Sequence, residues 1–147
     1  MISSLLNLQS HRLKSESAIS ALQESKDRIQ AIALIHRFLY KDESMASVNM
    51  RTYLQDLVDY QAKMQLEDDH AIQFNLEVID TAINLDTAVP FGLIVSELIS
   101  NTYKHAFPQS TQDGKVTIVM GKDEDQFYFQ YSDNGEGLPD NYQLKAE

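Results

Sequence analysis

Glu97-Leu98-Ile99-Ser100-Asn101-Thr102-Tyr103-Lys104-His105-Ala106-Phe107 is the stretch on which the reading of this chain turns. With Leu93 and Ile94 ahead of it, Leu98 and Ile99 recur at helical spacing, so the stretch is the second half of a helix. Asp86 or Thr87 is placed to cap the start, Pro90 falls in the first turn, where a missing N–H matters little, and Pro108 stops the far end. On such a helix Glu97, Asn101 and either Lys104 or His105 stand at i, i+4 and i+7 or i+8, on one face. The amide oxygen of Asn101 is a hard donor suited to Mg2+, which keeps waters and phosphate oxygens in its other positions. One turn back, Glu97 is placed to polarise a nucleophile or a metal-bound water, while Lys104 and His105 offer donors to phosphate oxygens. The plainer alternative is a helix whose last turn carries cations against its negative end, with Glu97 a solvated carboxylate.

Ser132-Asp133-Asn134-Gly135-Glu136-Gly137-Leu138-Pro139 follows directly on an apolar strand. Gly135 and Gly137 permit positive φ and a close approach of backbone to a ligand. Asp133, at the strand end, can accept a hydrogen bond from an exocyclic amine such as that of adenine. Alone, the motif reads equally well as a surface turn, because Asp, Asn and Gly are common turn residues.

Outward from these motifs, Val116, Ile118 and Met120, then Phe127, Phe129 and Tyr131, alternate as two strands joined by Gly121 to Asp125, an antiparallel hairpin. Ile72, Phe74, Leu76 and Val78 alternate with Gln73, Asn75 and Glu77, the pattern of a strand with one buried face, and Ile83 to Leu85 predicts a short second strand. Asn49 is a good N-cap for a helix to about Gln65 with Tyr53, Leu57, Tyr60 and Met64 on its apolar face. Near the N-terminus, Ile2, Leu5, Leu6 and Leu8 predict a helix to about Leu13, and Ser15-Glu16-Ser17 ends it and caps the next. In that next helix Ile19, Leu22, Lys26, Ile29, Ala33, His36 and Tyr40 recur in steps of three and four, a coiled-coil-like seam. His36 reads as a buried structural imidazole on that seam, His11 as a solvated helix-end residue, and His70 as the start of a strand away from the Glu97 face. Lys41 to Val48 has no sustained period and serves as a connection. The fold class is therefore α+β: an antiparallel helical hairpin over residues 1–44, then an α/β sandwich over 45–147.

The totals narrow the function. A chain of 147 residues, 43% hydrophobic and 23% charged, has room for one well-buried domain with a helical appendage. No apolar run is long enough to cross a bilayer, and Met1 to Gln9 lacks the basic region and cleavage site of a signal peptide, so the segment is expected to be cytoplasmic with no membrane contact. A net charge of -10, with no Lys/Arg cluster, disfavours nucleic acid. A mononucleotide stays compatible, since backbone N–H groups, a metal and one or two cations suffice to hold it. The absence of Cys excludes a disulfide framework and a thiolate zinc site.

The helix motif and the Asp-x-Gly-x-Gly turn, separated by one strand and a hairpin connection, together resemble the N box and first glycine box of the Bergerat-fold ATPase/kinase superfamily (GHKL). Within it the chain is most similar to sensor histidine kinases of the second HisKA class, related to the HWE kinases. That likeness is carried by Ile2-Ser3-Ser4-Leu5-Leu6-Asn7-Leu8-Gln9, by Arg28-Ile29-Gln30-Ala31-Ile32-Ala33-Leu34-Ile35-His36-Arg37-Phe38-Leu39-Tyr40, and by Glu97 to Pro108. The resemblance implies an ATP-dependent protein-histidine kinase of a two-component signalling system, with ATP and Mg2+ as cofactors. A response regulator and a second copy, joined through the hairpin, are the implied partners. By the same resemblance Asn101 binds Mg2+, Asp133 binds the adenine amine, Gly135 and Gly137 shape the pocket, and Glu97, Lys104 and His105 serve the phosphoryl transfer. Family members carry their phosphoacceptor His a few turns before the segment that begins at Ile2, and a second glycine box and lid after the first. The acceptor is thus expected before Met1 and the lid after Glu147, and the chain itself is expected to bind ATP weakly and not to autophosphorylate. The alternatives are a hydrolytic ATPase of the superfamily, with Glu97 activating water, and a non-catalytic dimerisation or phosphotransfer scaffold.

Overall fold

Two helices open the chain, α1 (Ile2–Ser10) and α2 (Glu16–Leu39), and they lie against each other. The computed structural model describes residues 2–10, 16–39, 46–64, 71–107 and 112–137. There follow β1 (Ser47–Asn49), α3 (Met50–Met64), β2 (Ile72–Val78), β3 (Ala82–Asn84), α4 (Leu85–Asn101), a π-helical turn (Thr102–Ala106), β4 (Gly114–Asp123) and β5 (Gln126–Asp133). The architecture is α+β, as expected. Among the described residues no helix is long and apolar enough to cross a membrane. His11, His70, Pro108 and residues 41–45 lie outside the described residues. The chain forms two compact units, Met1–Leu57 with Thr81–Glu97, and Val58–Asp80 with Leu98–Glu147.

In the first unit β1 and β3 pair antiparallel, Val48 opposite Ile83, and each ends on an Asn that caps the next helix. Asn49 Oδ1 accepts from the Thr52 N–H at 3.1 Å, as anticipated, and Asn84 Oδ1 accepts from the Thr87 N–H at 3.0 Å. Asn84 thus takes the capping role expected of Asp86 or Thr87, so α4 starts earlier. Pro90 then falls in the second turn, where the N–H it lacks would have met the Asp86 carbonyl. β1 escaped the sequence reading because three residues are too few to show a period of two.

The core of this unit gathers Ile35, Met50, Tyr53, Leu54, Leu57, Ala88 and Val95. Gly92 lets Tyr53 lie close on α4: a Cβ there would sit 1.8 Å from the phenol oxygen and 3.1 Å from Ile35 Cδ1. The Tyr53 hydroxyl donates to the Ala88 carbonyl at 3.4 Å, and burial pushes its pKa well above the ordinary value. The hairpin seam is corrected by this packing. Leu22, Lys26 and Ile29 are half-buried as expected, but Ile19, Ala33 and His36 are exposed, Tyr40 lies outside the described residues, and Ile35 is the residue carried inside, 1% exposed. The late part of α2 turns toward the Tyr53 and Gly92 core rather than continuing a two-helix stripe, because that is where apolar surface is available to cover it. Ile94, counted on the apolar face of α4, is 56% exposed; Ala88, Gly92 and Val95 are buried instead.

The second unit holds a three-stranded sheet in the order β2-β4-β5. β2 and β4 run parallel, from Ile72 opposite Gly114 to Val78 opposite Met120; β4 and β5 are antiparallel, from Val116 opposite Asp133 to Asp123 opposite Gln126. Val116, Ile118 and Met120 are buried together with Val58, Val78, Ile99, Tyr103 and Phe107. Gly121 to Asp123, read as part of the connection, belong to β4, and the turn is Glu124-Asp125, with Glu124 at φ +52°. β5 is less buried than its pattern suggests: Phe129 and Tyr131 are half-covered, while Phe127 is exposed with Lys122 Nζ 5.5 Å above its ring.

Candidate active site

Asn101 ends the α-helical part of α4, and Thr102–Ala106 continue as a π turn. Glu97 and Asn101 keep their i, i+4 relation on α4. The wider i→i+5 turn shifts the phase of the residues within it, so Lys104 and His105 do not sit where i+7 and i+8 of an unbroken helix would put them. Asn101, Lys104 and His105 are all exposed, whereas Thr102, Tyr103 and Phe107 are buried.

Both ends of the π turn are tied to β5 and the glycine turn after it. Thr102 Oγ1 lies 2.6 Å from the Tyr131 hydroxyl and donates its own hydrogen to the Leu98 carbonyl at 3.0 Å. With that hydrogen committed, Tyr131 is the donor in the shorter contact. At the other end the Ala106 carbonyl accepts from the Glu136 N–H at 2.9 Å. These bonds set the end of the helix motif beside the glycine turn, the juxtaposition a shared ligand site requires. Burial is the main cause that pushes the Tyr131 phenol up to about 12, and the Asp133 and Tyr103 charges add to the rise. Tyr103 is raised by burial as well.

The glycine turn is closed by its own side chains. Asp133 Oδ1 accepts from the Gly135 N–H at 2.9 Å, and among the described residues Oδ2 has no hydrogen bond. Asn134 clamps the turn onto β4: its Oδ1 accepts from the Lys115 N–H at 2.7 Å, its Nδ2 donates to the Asp113 carbonyl at 3.2 Å, and its N–H donates to the Lys115 carbonyl at 3.1 Å. The sequence marks Asn134 as a turn residue but not as the clamp onto β4 that it forms. Gly135 is required sterically, since a Cβ would fall 2.3 Å from the Ala106 oxygen; Gly137 is required conformationally, at φ +75° with open space around it.

Glu97 Oε1 accepts from Arg28 Nε at 2.7 Å, and that hydrogen bond is the main reason the Arg28 pKa is raised. Both side chains are largely exposed, 60% for Arg28 and 43% for Glu97, so solvent screens the pair and it adds little to stability. No spacing rule links residues so far apart in sequence. Elsewhere on α4, Ser96 Oγ is buried without a hydrogen-bond partner among the described residues.

Among the described residues no group of three or more His, Cys, Asp or Glu is arranged to hold a metal. A lone exposed amide oxygen at Asn101 fits a hard cation that brings waters and phosphate oxygens with it, and an exposed carboxylate steadied through Oδ1 at Asp133 fits a purine amine.

Residues 1–65 match the family HisKA_2, described as histidine kinase. Over 147 aligned residues the chain is 30% identical to the sensor histidine kinase PdtaS of Mycolicibacterium smegmatis, covering 98% of this chain and 28% of that relative. A stretch of 61 residues is 36% identical to the sensor protein LytS of Bacillus subtilis, 42% of this chain and 10% of that protein. The histidine kinase domain of a blue-light activated histidine kinase from Erythrobacter litoralis shares the fold, with a TM-score of 0.65 at 23% identity over 95% of this chain and 74% of that one. The chain thus spans well under a third of its mycobacterial relative. Residues 1–65 thus match the HisKA_2 histidine-kinase family, and along nearly its whole length the chain is similar to a sensor histidine kinase.

Proposed function

We propose that this chain supplies the nucleotide-binding and hairpin parts of an ATP-dependent protein-histidine kinase, a transferase of a two-component system that moves the γ-phosphoryl group of ATP to a His of the dimerisation domain. The observation that carries the reading is the hydrogen-bonded juxtaposition of the α4 terminus with the glycine turn, through Thr102 to Tyr131 and Ala106 to Glu136. In this reading residues 1–44 are the dimerisation hairpin and 45–147 the ATP-binding domain. Exposed Ile2, Leu5, Ile19 and Ile32 on α1 and α2 support a homodimer through the hairpin. The chemistry of phosphoryl transfer adds a response regulator as the onward partner and a cytoplasmic setting, where ATP is available.

Asp133 accepts the adenine amine through Oδ2 while Gly135 fixes its other oxygen. Gly135 and Gly137 keep the turn free of side chains that would close it. Asn101 would hold Mg2+, which when bound on phosphate oxygens offsets the charge of the transferring group. Lys104 and His105 donate to phosphate oxygens, and Glu97 takes the proton side of the reaction once Arg28 releases it. ADP and inosine diphosphate distinguish the purine assignment, because inosine replaces the amine by a carbonyl. Calorimetry should show the wild-type chain preferring ADP by about tenfold to a hundredfold, the worth of a hydrogen bond to a charged group, and Asp133→Asn removing or reversing that preference. Equal affinity for the two nucleotides in the wild type would refute the assignment.

A further inference from the structure

Tyr131 carries its hydroxyl for one visible purpose. The ring is half-buried on β5, and a Phe would fill the same volume; the oxygen serves the 2.6 Å contact with Thr102, itself only 3% exposed. The hydrogen-bond chain has a direction, Tyr131 O–H to Thr102 Oγ1 and Thr102 O–H to the Leu98 carbonyl, and it ends on the last α-helical turn before the π turn. Strand alternation puts Tyr131 and Asp133, two residues apart on β5, on one face of a strand held by β4 along its length. Thr102 directly follows Asn101. A rigid connection therefore runs from the residue assigned to the purine, along one strand repeat and across one hydrogen bond, to the residue assigned to the cation.

We infer that Tyr131 and Thr102 are positioning residues that couple purine recognition at Asp133 to cation and phosphate binding at Asn101, an inference that rests on the proposed nucleotide site. The hydroxyl pair fixes where α4 passes into its π turn, and so fixes Asn101 ahead of the turn and Lys104 and His105 within it. Cavity filling alone would not need the hydroxyls, because Tyr131→Phe and Thr102→Val keep the shape and remove only the bond.

The test is calorimetry of ADP binding to the whole chain, in EDTA and in MgCl2, for wild type, Tyr131→Phe, Thr102→Val and Thr102→Ser, with hydrogen exchange on the same samples. The wild type should bind ADP more tightly with Mg2+. Tyr131→Phe and Thr102→Val should keep the affinity measured in EDTA while the Mg2+ gain shrinks about three- to tenfold, the range of one lost hydrogen bond; Thr102→Ser, which retains the hydroxyl, should keep the gain. Amide exchange over residues 98–106 should quicken in Tyr131→Phe with β4 unchanged. An undiminished Mg2+ gain in Tyr131→Phe, a parallel loss of both affinities, or unchanged exchange over 98–106 overturns the inference. Absence of ADP binding by the wild type in both buffers instead overturns the nucleotide reading, and this inference with it.

Discussion

Gly135→Ala puts the joint between the α4 terminus and the glycine turn under direct strain. The added methyl would stand 2.3 Å from the Ala106 oxygen and 2.9 Å from both the Ala106 carbonyl carbon and Asp133 Oδ1, against an ordinary contact of 3.4 Å or more. The obstructing atom is backbone, so no rotamer change relieves the clash, and the turn must retreat by about 1 Å, the gap between an ordinary contact and this one. A retreat of that size stretches the Glu136 N–H to Ala106 bond, now 2.9 Å, beyond hydrogen-bond length. Asn134 resists the retreat through its bonds to Lys115 and Asp113. Loss of the bond is worth about 0.5–1.5 kcal/mol and overpacking about 1–3, so the variant should be destabilised by about 2–4 kcal/mol. Gly137→Ala is the control: nothing stands within 4 Å of its Cβ, and only the left-handed φ of +75° is penalised, by about 1–2 kcal/mol. Urea unfolding of both variants decides the matter. Gly135→Ala as stable as wild type, or less damaging than Gly137→Ala, would refute the claim that the glycine is there to admit the Ala106 carbonyl.

Other perturbations test the remaining contacts. Arg28→Gln should lower the melting temperature slightly in dilute buffer and not measurably in 1 M salt, because an exposed pair is screened; a salt-independent loss would show that packing of the Arg28 stem matters instead. Ser96→Ala removes a buried hydroxyl with no partner among the described residues and should leave denaturant stability unchanged or raise it by about 1 kcal/mol, whereas a loss above that would reveal a bond to Ser96 Oγ. Tyr131 has its pKa raised from 10.0 to about 12, so the folded state favours the protonated phenol. That contribution is whole below the unfolded value and is lost as pH rises from about 10 to about 12, and the stability gap between wild type and Tyr131→Phe should narrow over that window in pH-dependent melts.

How much of the molecule its sequence exposes depends on the length over which each signal acts. β2 and β4 were readable because alternation over several residues is a local consequence of one buried face, and α3 because Asn49 and a four-residue apolar repeat lie on one helix. The Asn101 and Asp133 motifs are likewise each complete within a few residues, which is why sequence alone suggests the roles proposed for them. The π turn was not readable: it is tied to β5 by the Tyr131–Thr102 contact and to the glycine turn by the Glu136 amide on Ala106, and no local pattern encodes either partner. The exposed position of His36 depended likewise on Ile35 finding Gly92 and Tyr53, residues brought near only by folding. Asn84 capped α4 in place of Asp86 or Thr87 because it ends a strand paired with β1, and three acceptable caps within four residues leave sequence without a means to choose.

The contact between Arg28 and Glu97 bears on the setting of α2. One oxygen of Glu97 is held at 2.7 Å by a residue of α2. Because the pair is exposed and weak, little stands in the way of exchanging Arg28 for another partner when α2 moves. Glu24 lies one helical turn before Arg28 on α2, and its charge already acts on the guanidinium. A one-turn displacement of α2 that brought Glu24 opposite Glu97 would replace attraction by repulsion, so the charges on this face favour one setting of the helix over its neighbour.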